Sequence, residues 1–572
     1  MPTLLPQNDP RAADREAERA RARATYRYTW HRPEGVATAA EVPRADAFSA
    51  SYLAQFGAVI ARMKAHEAAV SLRNRAAHAE EARAAAPASE GWLSRLVGSV
   101  KAATERDARR RADPATALRW FGQDVPPLVA ARHAQPARDD ELFAWQRLGG
   151  ANPMKLRAVR ELPDAVPADE AAYAVAAGEG DSLARAASEG RLFVADWRWL
   201  AGAHTGATPD GEAKRLDPAA ALFATAPGGA FVPVAIRTAP ERAVLTPADG
   251  VAWSMAKLSA QTADLHEQAL VWHLGHCHFL MEAFALATRR ELAAAHPLRR
   301  LLAAHTEYTL AINAQVRDTL MKPGGDLETL LSVSRGQALW IVQAAVQRFD
   351  YAAALPPRRV RDRGLGDPRT LRHCPYRDDG LDVWDAIHAF AGDYVGLYYA
   401  ADADVREDEE LRAFCRDLRG HWGGRLASIP EVEDRDALVE LVTFALWSAG
   451  PLHTICNYSQ YEMMSDSTSM PVALFGPPPA AGATEGDRHA SYLPEDLSMS
   501  QWAFFYEQTR LDENRFGAYA PGTFDDPRVG PLEARFREAL DAADARIVAR
   551  NATRPSPYEW LRPSVSRASI HS

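Results

Sequence analysis

The chain has 572 residues, a formal net charge of −9, 47% apolar residues and 25% charged residues. This composition is typical of a soluble globular protein with an ample core. The acidic balance, and the lack of a basic stripe with interleaved aromatic residues, argue against nucleic acid as a partner.

The cysteines and the N-terminal residues indicate the expected cellular compartment of the protein. Four cysteines show neither zinc-like spacing nor a disulfide framework; they are Cys277, Cys374, Cys415 and Cys456. The first ten residues lack the apolar segment that a secretory signal requires. The longest apolar stretch, 269–287, contains three histidines and a glutamate, which is typical of a buried helix rather than a membrane span. We therefore expect a soluble, cytoplasmic protein.

Residues 1–190 are predicted to form a mostly helical extension that packs on or covers the rest of the chain. Segments 48–85 and 92–111 are rich in Ala, Glu, Arg and Leu, which favour helix. No run of short alternating strands occurs there, so we expect no N-terminal β-barrel module. The most basic run, 101–111, also contains acidic residues and is interpreted as a solvated helix face, with a membrane-surface or partner role as the alternative.

Residues 191–572 are predicted to form one large, mainly α catalytic domain with a small β substructure. Segments 192–200 and 230–237 have the composition of short strands around a Pro/Gly loop. Helices are predicted at 251–293, 298–321, 327–351, 382–400, 432–448, 494–510 and 531–551. The Pro/Ala/Gly stretch 477–487 is predicted to be a surface loop, and prolines near the C-terminus rule out a continuous helix there.

Two pairs of polar residues lie within the predicted apolar helices. His273 and His278 are five residues apart, whereas His453 and Asn457 are four apart. Four residues nearly complete a helical turn, so the second pair shares one face. The first pair needs a π-type bulge, which Gly275 would make easier. Two such helices facing each other would offer imidazole and amide ligands suited to a first-row metal. The alternative for any single buried histidine is a hydrogen-bonded core residue.

The segments that flank the His273/His278 and His453/Asn457 pairs contain further motifs. AlaTrpSerMetAlaLys occupies 252–257, HisLeuGlyHisCysHisPheLeuMetGlu occupies 273–282, and HisThrIleCysAsnTyrSerGlnTyr occupies 453–461. A HisPro dipeptide at His296 follows His278 by eighteen residues. Together these motifs resemble the lipoxygenase family over about 190–572, with the metal held between two long central helices.

The resemblance implies one non-haem iron per chain, with manganese as the alternative. The implied side-chain ligands are His273, His278, His453 and Asn457. The fifth ligand in the family is the main-chain carboxylate of the last residue, which the ending SerIleHisSer (569–572) assigns to Ser572. The alternative is that Ile570 is the counterpart and two residues overhang. Gln460 is predicted to orient the weak amide ligand.

The same resemblance also implies roles for residues outside the metal-ligand set. Helices 327–351 and 432–448 are expected to line the substrate channel. In the family, a small residue in the first of these regions influences the position and chirality of oxygenation; the candidates are Ala344, Ala345 and Gly336, and plain helix packing is their alternative. An arginine cluster, Arg358, Arg359 and Arg361, could meet a carboxylate head group or form a solvated surface. Glu282 is predicted to make a buried hydrogen bond, and Gln268 stands where many relatives have a non-ligating histidine.

The implied activity is the oxygenation of polyunsaturated fatty acids of the linoleate and arachidonate class. An iron-bound hydroxide would take hydrogen from a bis-allylic carbon and O2 would add to give a conjugated hydroperoxide, so no separate catalytic side chain is predicted. One alternative is a hydroperoxide isomerase or epoxyalcohol-forming enzyme on the same site. Another is a non-catalytic lipid-binding helical scaffold. The expected partners are the fatty acid, O2 and a transient membrane surface, with the protein acting as a monomer.

Overall fold

The computed structural model describes residues 3–87, 92–105, 127–134, 139–208, 211–464, 466, 468–492 and 515–571. The predicted helix at 494–510, the end of the helix predicted at 92–111, and Ser572 lie outside these residues. The described helices are α1 (Ala12–Thr25), α2 (Ala50–Ala85), α3 (Trp92–Glu105), α4 (Pro127–Ala134), α5 (Asp139–Gly149), α6 (Glu170–Ala177), α7 (Leu183–Ser188), α8 (Val251–Glu267), α9 (Leu280–Glu291), α10 (Pro297–Ala304), α11 (Thr309–Asp318), α12 (Asp326–Leu330), α13 (Arg335–Gln347), α14 (Tyr351–Ala354), α15 (Pro356–Asp362), α16 (Pro375–Asp378), α17 (Gly380–Tyr398), α18 (Asp402–Glu407), α19 (Glu409–Arg419), α20 (Arg435–Trp447), α21 (His453–Met464), α22 (Glu485–Tyr492) and α23 (Val529–Asn551).

Two π-helical segments interrupt the central helices. The first π segment (Gln268–Phe279) joins α8 to α9, and the second (Ser448–Leu452) joins α20 to α21. Pro451 lies within the second segment, where its missing N–H cannot complete a regular helical ladder. The stretch Arg435–Ser459 is long and apolar enough to cross a membrane by length and composition, yet 94% of its most apolar window is buried inside the protein. Such burial is typical of a core helix.

A small antiparallel sheet packs beside the helices. Its order is β3 (Arg157–Val159), β4 (Leu192–Asp196), β5 (Ala220–Thr225), β6 (Phe231–Arg237) and β7 (Val244–Leu245). Side chains alternate between the two faces of a strand. Accordingly Phe223 belongs to the main hydrophobic core, while its neighbour Leu222 packs in a second cluster with residues of α6 and α7.

The predicted mainly α fold with a small β substructure is confirmed, but the strand prediction was incomplete. The segments predicted at 192–200 and 230–237 contain β4 and β6, whereas β3, β5 and β7 were missed. A separate hairpin of β1 (Tyr28–His31) and β2 (Glu34–Ala39) was also missed. The sequence of β5, AlaAlaLeuPheAlaThr, has weak strand propensity; pairing with β4 and β6 on both sides determines its conformation.

Two long predicted helices are each divided in the structure. The helix predicted at 298–321 breaks between α10 and α11, where Tyr308 adopts a left-handed conformation with φ of 59°. The helix predicted at 327–351 breaks between α12 and α13, where Ser334 caps α13 by accepting a hydrogen bond from Gln337 N. Both breaks turn the chain so that α11 and α13 pack against the first π segment.

Buried side chains from both ends of the chain join the central core. Leu5, Val36 and Leu142 belong to the same hydrophobic cluster as Leu270 and Ile570. The core therefore crosses the boundary predicted at residue 190, and the division of the chain into an extension and a catalytic domain stays a prediction.

Candidate metal centre

Three histidines from the two central helices converge on one point. Nitrogen atoms of His273, His278 and His453 all lie within 4.8 Å of one another. The Nε2 atoms of His273 and His278 are 3.1 Å apart, and the three residues are only 6%, 1% and 0% exposed. Ring nitrogens clustered at this spacing in a buried site can share one cation, and imidazole suits iron as well as other first-row metals.

The first π segment brings His273 and His278 to the same side of the helix. A π-helix has i→i+5 hydrogen bonds, so residues five apart become neighbours along the axis. The predicted bulge therefore occurs, and it spans Gln268–Phe279. Gly275 allows α13 to approach: a Cβ at this position would lie 2.8 Å from the Ala345 Cβ and 3.2 Å from the Leu270 oxygen.

Asn313 of α11 orients the ring of His278. Its Nδ2 donates to the His278 main-chain oxygen at 2.8 Å and to Glu282 Oε2 at 2.9 Å. The amide oxygen therefore accepts from His278 Nδ1 at 2.7 Å, which leaves the lone pair of Nε2 directed at the cluster. Burial lowers the pKa of His278 to about 4, so the ring is neutral at pH 7. No role was predicted for Asn313, which ends the run TyrThrLeuAlaIleAsn (308–313); a polar residue directly after the apolar segment LeuAlaIle was the available signal.

Glu282 anchors this arrangement to the N-terminal hairpin. Its carboxylate accepts from Arg317 Nη1 at 2.8 Å, from Asn313 Nδ2, and from the main-chain N–H of Ala39 in β2 at 2.8 Å. Burial raises the pKa of Glu282 despite the facing Arg317. The prediction that Glu282 makes a buried hydrogen bond is confirmed.

The second helix contributes His453 at the first position of α21 and Asn457 one turn later. Both residues are fully buried. Gln268 ties the two central helices together, because its Nε2 donates to the Cys456 oxygen at 2.6 Å. Gln460 lies in α21, but its side chain is outside the described part of the structure, so its predicted orienting role stays a prediction.

The C-terminal tail runs into the core beside α11. Ile570 and His571 are fully buried, and the hydroxyl of Tyr52 in α2 donates to the His571 oxygen. Thr309 Oγ1 donates to the Ile570 oxygen at 3.4 Å. Thr309 and Asn313 are one helical turn apart and share a face of α11. The tail therefore passes close to the side chain that orients His278, although Ser572 itself lies outside the described residues.

The candidate channel residues are spread along α13. Ala345 lies against Gly275, and its carbonyl oxygen is 3.2 Å from His276 Nε2. Ala344 is half-buried, whereas Gly336 is exposed and lies eight residues before Ala344, roughly 12 Å along the helix axis. The structure thus places Ala345 against the first π segment, and the channel assignment stays a prediction.

Among the three predicted arginines, Arg359 alone contacts the first π segment. Its guanidinium carbon lies 4.5 Å from the ring centre of Trp272, next to His273. Burial lowers the pKa of Arg359. Arg358 and Arg361 are exposed, and Arg361 pairs with its neighbour Asp362 at 3.2 Å.

The fold and the site define a class: a large helical protein with a buried histidine cluster between two π-bulged central helices. A family model described as Lipoxygenase matches residues 99–488. The linoleate 9/13-lipoxygenase of Pseudomonas aeruginosa is 33% identical over 469 residues, which cover 77% of this chain and 67% of that protein. The chain therefore belongs to the lipoxygenase family, and the predicted resemblance is confirmed. The family match begins at residue 99, well before the predicted start near 190.

Other relatives also support membership of the lipoxygenase family. Polyunsaturated fatty acid lipoxygenase ALOX15B of Rattus norvegicus is 29% identical over 76% of this chain and 65% of that protein. Hydroperoxide isomerase ALOXE3 of Homo sapiens is 28% identical over 76% of this chain and 62% of that protein. The chain thus spans about two thirds of the length of these relatives. A crystal structure of a lipoxygenase in complex with arachidonate shares the fold, with a TM-score of 0.83 at 23% identity over all of this chain and 84% of that one.

Proposed function

We propose that the protein is a metal-dependent dioxygenase that converts polyunsaturated fatty acids of the linoleate and arachidonate class to conjugated hydroperoxides. The observation that carries this proposal is the convergence of His273, His278 and His453 in a chain of the lipoxygenase family. The names of the linoleate and polyunsaturated fatty acid lipoxygenase relatives support the substrate class.

We further propose that one iron binds to the three imidazoles, to Asn457 and to the main-chain carboxylate of Ser572, with manganese as the alternative. Two observations support the last two ligands: Asn457 is buried one turn after His453, and the tail up to His571 is buried beside α11. When bound, such an ion supplies the one-electron chemistry needed to break a bis-allylic C–H bond.

The side chains of the protein position the ion and keep the site dry. Asn313 keeps the proton of His278 on Nδ1, so that Nε2 presents its lone pair to the cation. Apolar residues on the same segments as the histidines, such as Leu270, Leu452 and Ile455, are buried as well, and a buried apolar environment excludes water. Exclusion of water strengthens the interaction of each ligand with the ion and protects a substrate radical from side reactions.

A test of this function combines metal analysis with two assays of turnover. We expect about one iron per chain, and mixing with linoleate in air should increase the conjugated-diene absorbance while O2 is consumed. Protein that lacks metal, or holds metal yet produces no diene and consumes no O2, would contradict the dioxygenase proposal.

A second candidate is favoured by the similarity to hydroperoxide isomerase ALOXE3. An isomerase on the same site would consume a fatty-acid hydroperoxide, lose the diene absorbance and take up no O2. Supplying a purified hydroperoxide in place of linoleate distinguishes the two activities. A non-catalytic lipid-binding scaffold would produce neither change, and it has no need for three converging buried histidines.

A further inference from the structure

Helix α3 exposes four large apolar side chains to solvent. Trp92, Leu96, Val97 and Val100 are 75%, 41%, 61% and 54% exposed. Side chains of this kind normally pack into the core. Their concentration on one short helix forms a continuous apolar surface of the kind that marks an interaction site.

These four residues occupy one side of α3. Successive residues of a helix turn by about 100°, so Trp92, Leu96 and Val100 fall within roughly 80° and Val97 extends the sector to roughly 140°. The contact of α3 with α2 lies at the edge of this sector, roughly 20° from Trp92 on the side of Arg95: Ser99 is fully buried, and its hydroxyl accepts a hydrogen bond from Arg83 Nε of α2 at 3.1 Å. The exposure of the four apolar side chains shows that this contact leaves the sector, named here the α3 face, outside.

Basic residues flank the α3 face. On the same angular scale, Arg95 lies roughly 60° to one side of Trp92 and Lys101 roughly 40° beyond Val97. The ten residues from Trp92 to Lys101 contain these two cations and no acidic residue, in a chain whose net charge is −9. An apolar sector with basic edges and an aromatic residue at one end is the pattern of a helix that lies in a membrane interface.

We infer that the α3 face is a docking surface for a lipid bilayer that contains anionic headgroups. The apolar side chains enter the interface while Arg95 and Lys101 stay at the headgroup level. The inference rests in part on the proposed function, because a fatty-acid substrate partitions into membranes and a docked enzyme would take it from there.

The dimensions of the α3 face favour a membrane over a second copy of the chain. From Trp92 to Val100 the helix rises by roughly 12 Å, so the four side chains cover no more than about a few hundred Å². A stable dimer buries about 1,600 Å² in total. Insertion of a few side chains, aided by electrostatic attraction, is sufficient for reversible binding to a membrane.

Sedimentation with vesicles tests the docking directly. The vesicles contain either phosphatidylcholine alone or phosphatidylcholine with phosphatidylserine. The variants are Trp92→Ser and the double variant Leu96→Glu/Val100→Glu. The matched control is Trp422→Ser, because Trp422 is also 75% exposed but lies in another part of the molecule.

We expect the wild type and Trp422→Ser to bind the anionic vesicles more tightly than the neutral ones, and to release them as salt is added. Both α3 variants should bind at least about tenfold more weakly, since each buried aliphatic side chain is worth about one order of magnitude in affinity. Unchanged thermal melting would show that the variants fold. Equal vesicle binding by the α3 variants and the control, or no binding by the wild type, overturns the inference. It is also overturned if the α3 variants instead abolish a dimer that forms without lipid.

Failure of the docking inference and failure of the proposed function give different results. With linoleate supplied at monomeric concentrations, the α3 variants should retain wild-type diene formation. With the same substrate embedded in anionic vesicles, their rates should fall in parallel with binding. Vesicle binding without any diene formation would contradict the proposed function and leave the docking inference standing.

Discussion

At the metal centre, each ring nitrogen of His278 has its own partner. Nδ1 is bonded to Asn313 and Nε2 faces His273. The nearby His276 belongs to the same π segment, yet its Nε2 lies 3.2 Å from the carbonyl oxygen of Ala345 and it has no place in the histidine cluster. Similar sequence context therefore conceals two positions, one in the fully buried histidine cluster and one, only partly buried, in the packing against α13.

Replacing His278 or His453 by alanine should remove the metal. We expect the metal content per chain to fall by about tenfold or more, because loss of one of few strong ligands affects affinity at least as much as loss of a supporting hydrogen bond. His276→Ala is the matched control and should retain full metal content. The measurement is elemental analysis of purified protein by mass spectrometry, and a His278→Ala protein with a full complement of metal would contradict the assignment.

Asn313 provides a second prediction at this scale. Asn313→Ala removes the acceptor that determines the tautomer of His278, so metal affinity should fall by about 10–100-fold. Gln315→Ala in the same helix serves as the control, since Gln315 is half-buried and absent from the histidine cluster. Titration of metal against a competing chelator measures both affinities, and equal affinities in the two variants would exclude the positioning role.

At the element scale, the approach of α13 to the first π segment depends on two small residues. The Cβ position of Gly275 is 2.8 Å from the Cβ of Ala345, closer than two carbon atoms pack without displacement. The missing side chain therefore allows the distorted ligand helix to contact its neighbour. Tight interiors resist added volume because neighbouring side chains already pack at high density.

Gly275→Ala should destabilise the protein by about 1–3 kcal/mol, the usual cost of adding a methyl group to a full core. The loss should be smaller in an Ala345→Gly background, where the nearest clashing atom is absent. Urea unfolding of the four proteins in this double-mutant cycle gives the coupling energy. Additive effects of the two substitutions would show that the contact with α13 is not the cause.

For the whole molecule, one ion would join helices that are far apart in sequence. His273 and His453 are separated by 180 residues, and the unfolded chain does not bring them together. A metal that binds only the folded state stabilises it by about 4 kcal/mol when its free concentration is a thousandfold above Kd. The central helices, the N-terminal hairpin and the buried tail would share this stabilisation, because their side chains belong to one core.

Removal of the metal by a chelator should therefore lower the melting temperature, and added iron should restore it. The His453→Ala protein is the control, since it should melt at the same temperature with and without the chelator. Calorimetry measures the midpoints. A wild-type protein whose midpoint does not change when its metal is removed would contradict structural coupling through the ion.

The sequence was sufficient to predict the family, the long central helices and the residues that converge at the candidate metal centre. Spacing carries this information: His273 and His278 in an apolar helix require a π bulge, and the bulge occurs. Secondary-structure elements were harder to predict where the local sequence has a weak preference for the conformation that it adopts. Strand β5 has an alanine-rich sequence that favours helix, and the break at Tyr308 has no glycine or proline to signal it.

The sequence by itself determined the chemistry of the candidate metal ligands. The identity and spacing of the histidines and of their flanking residues can be read without knowing the fold. Only the tertiary structure decided that His276 packs against α13, that Asn313 orients His278, and that α3 turns its apolar side outward. Each of these depends on contacts between segments distant in sequence. Such contacts arise from packing and hydrogen bonding in the folded core, which no local pattern of residues specifies.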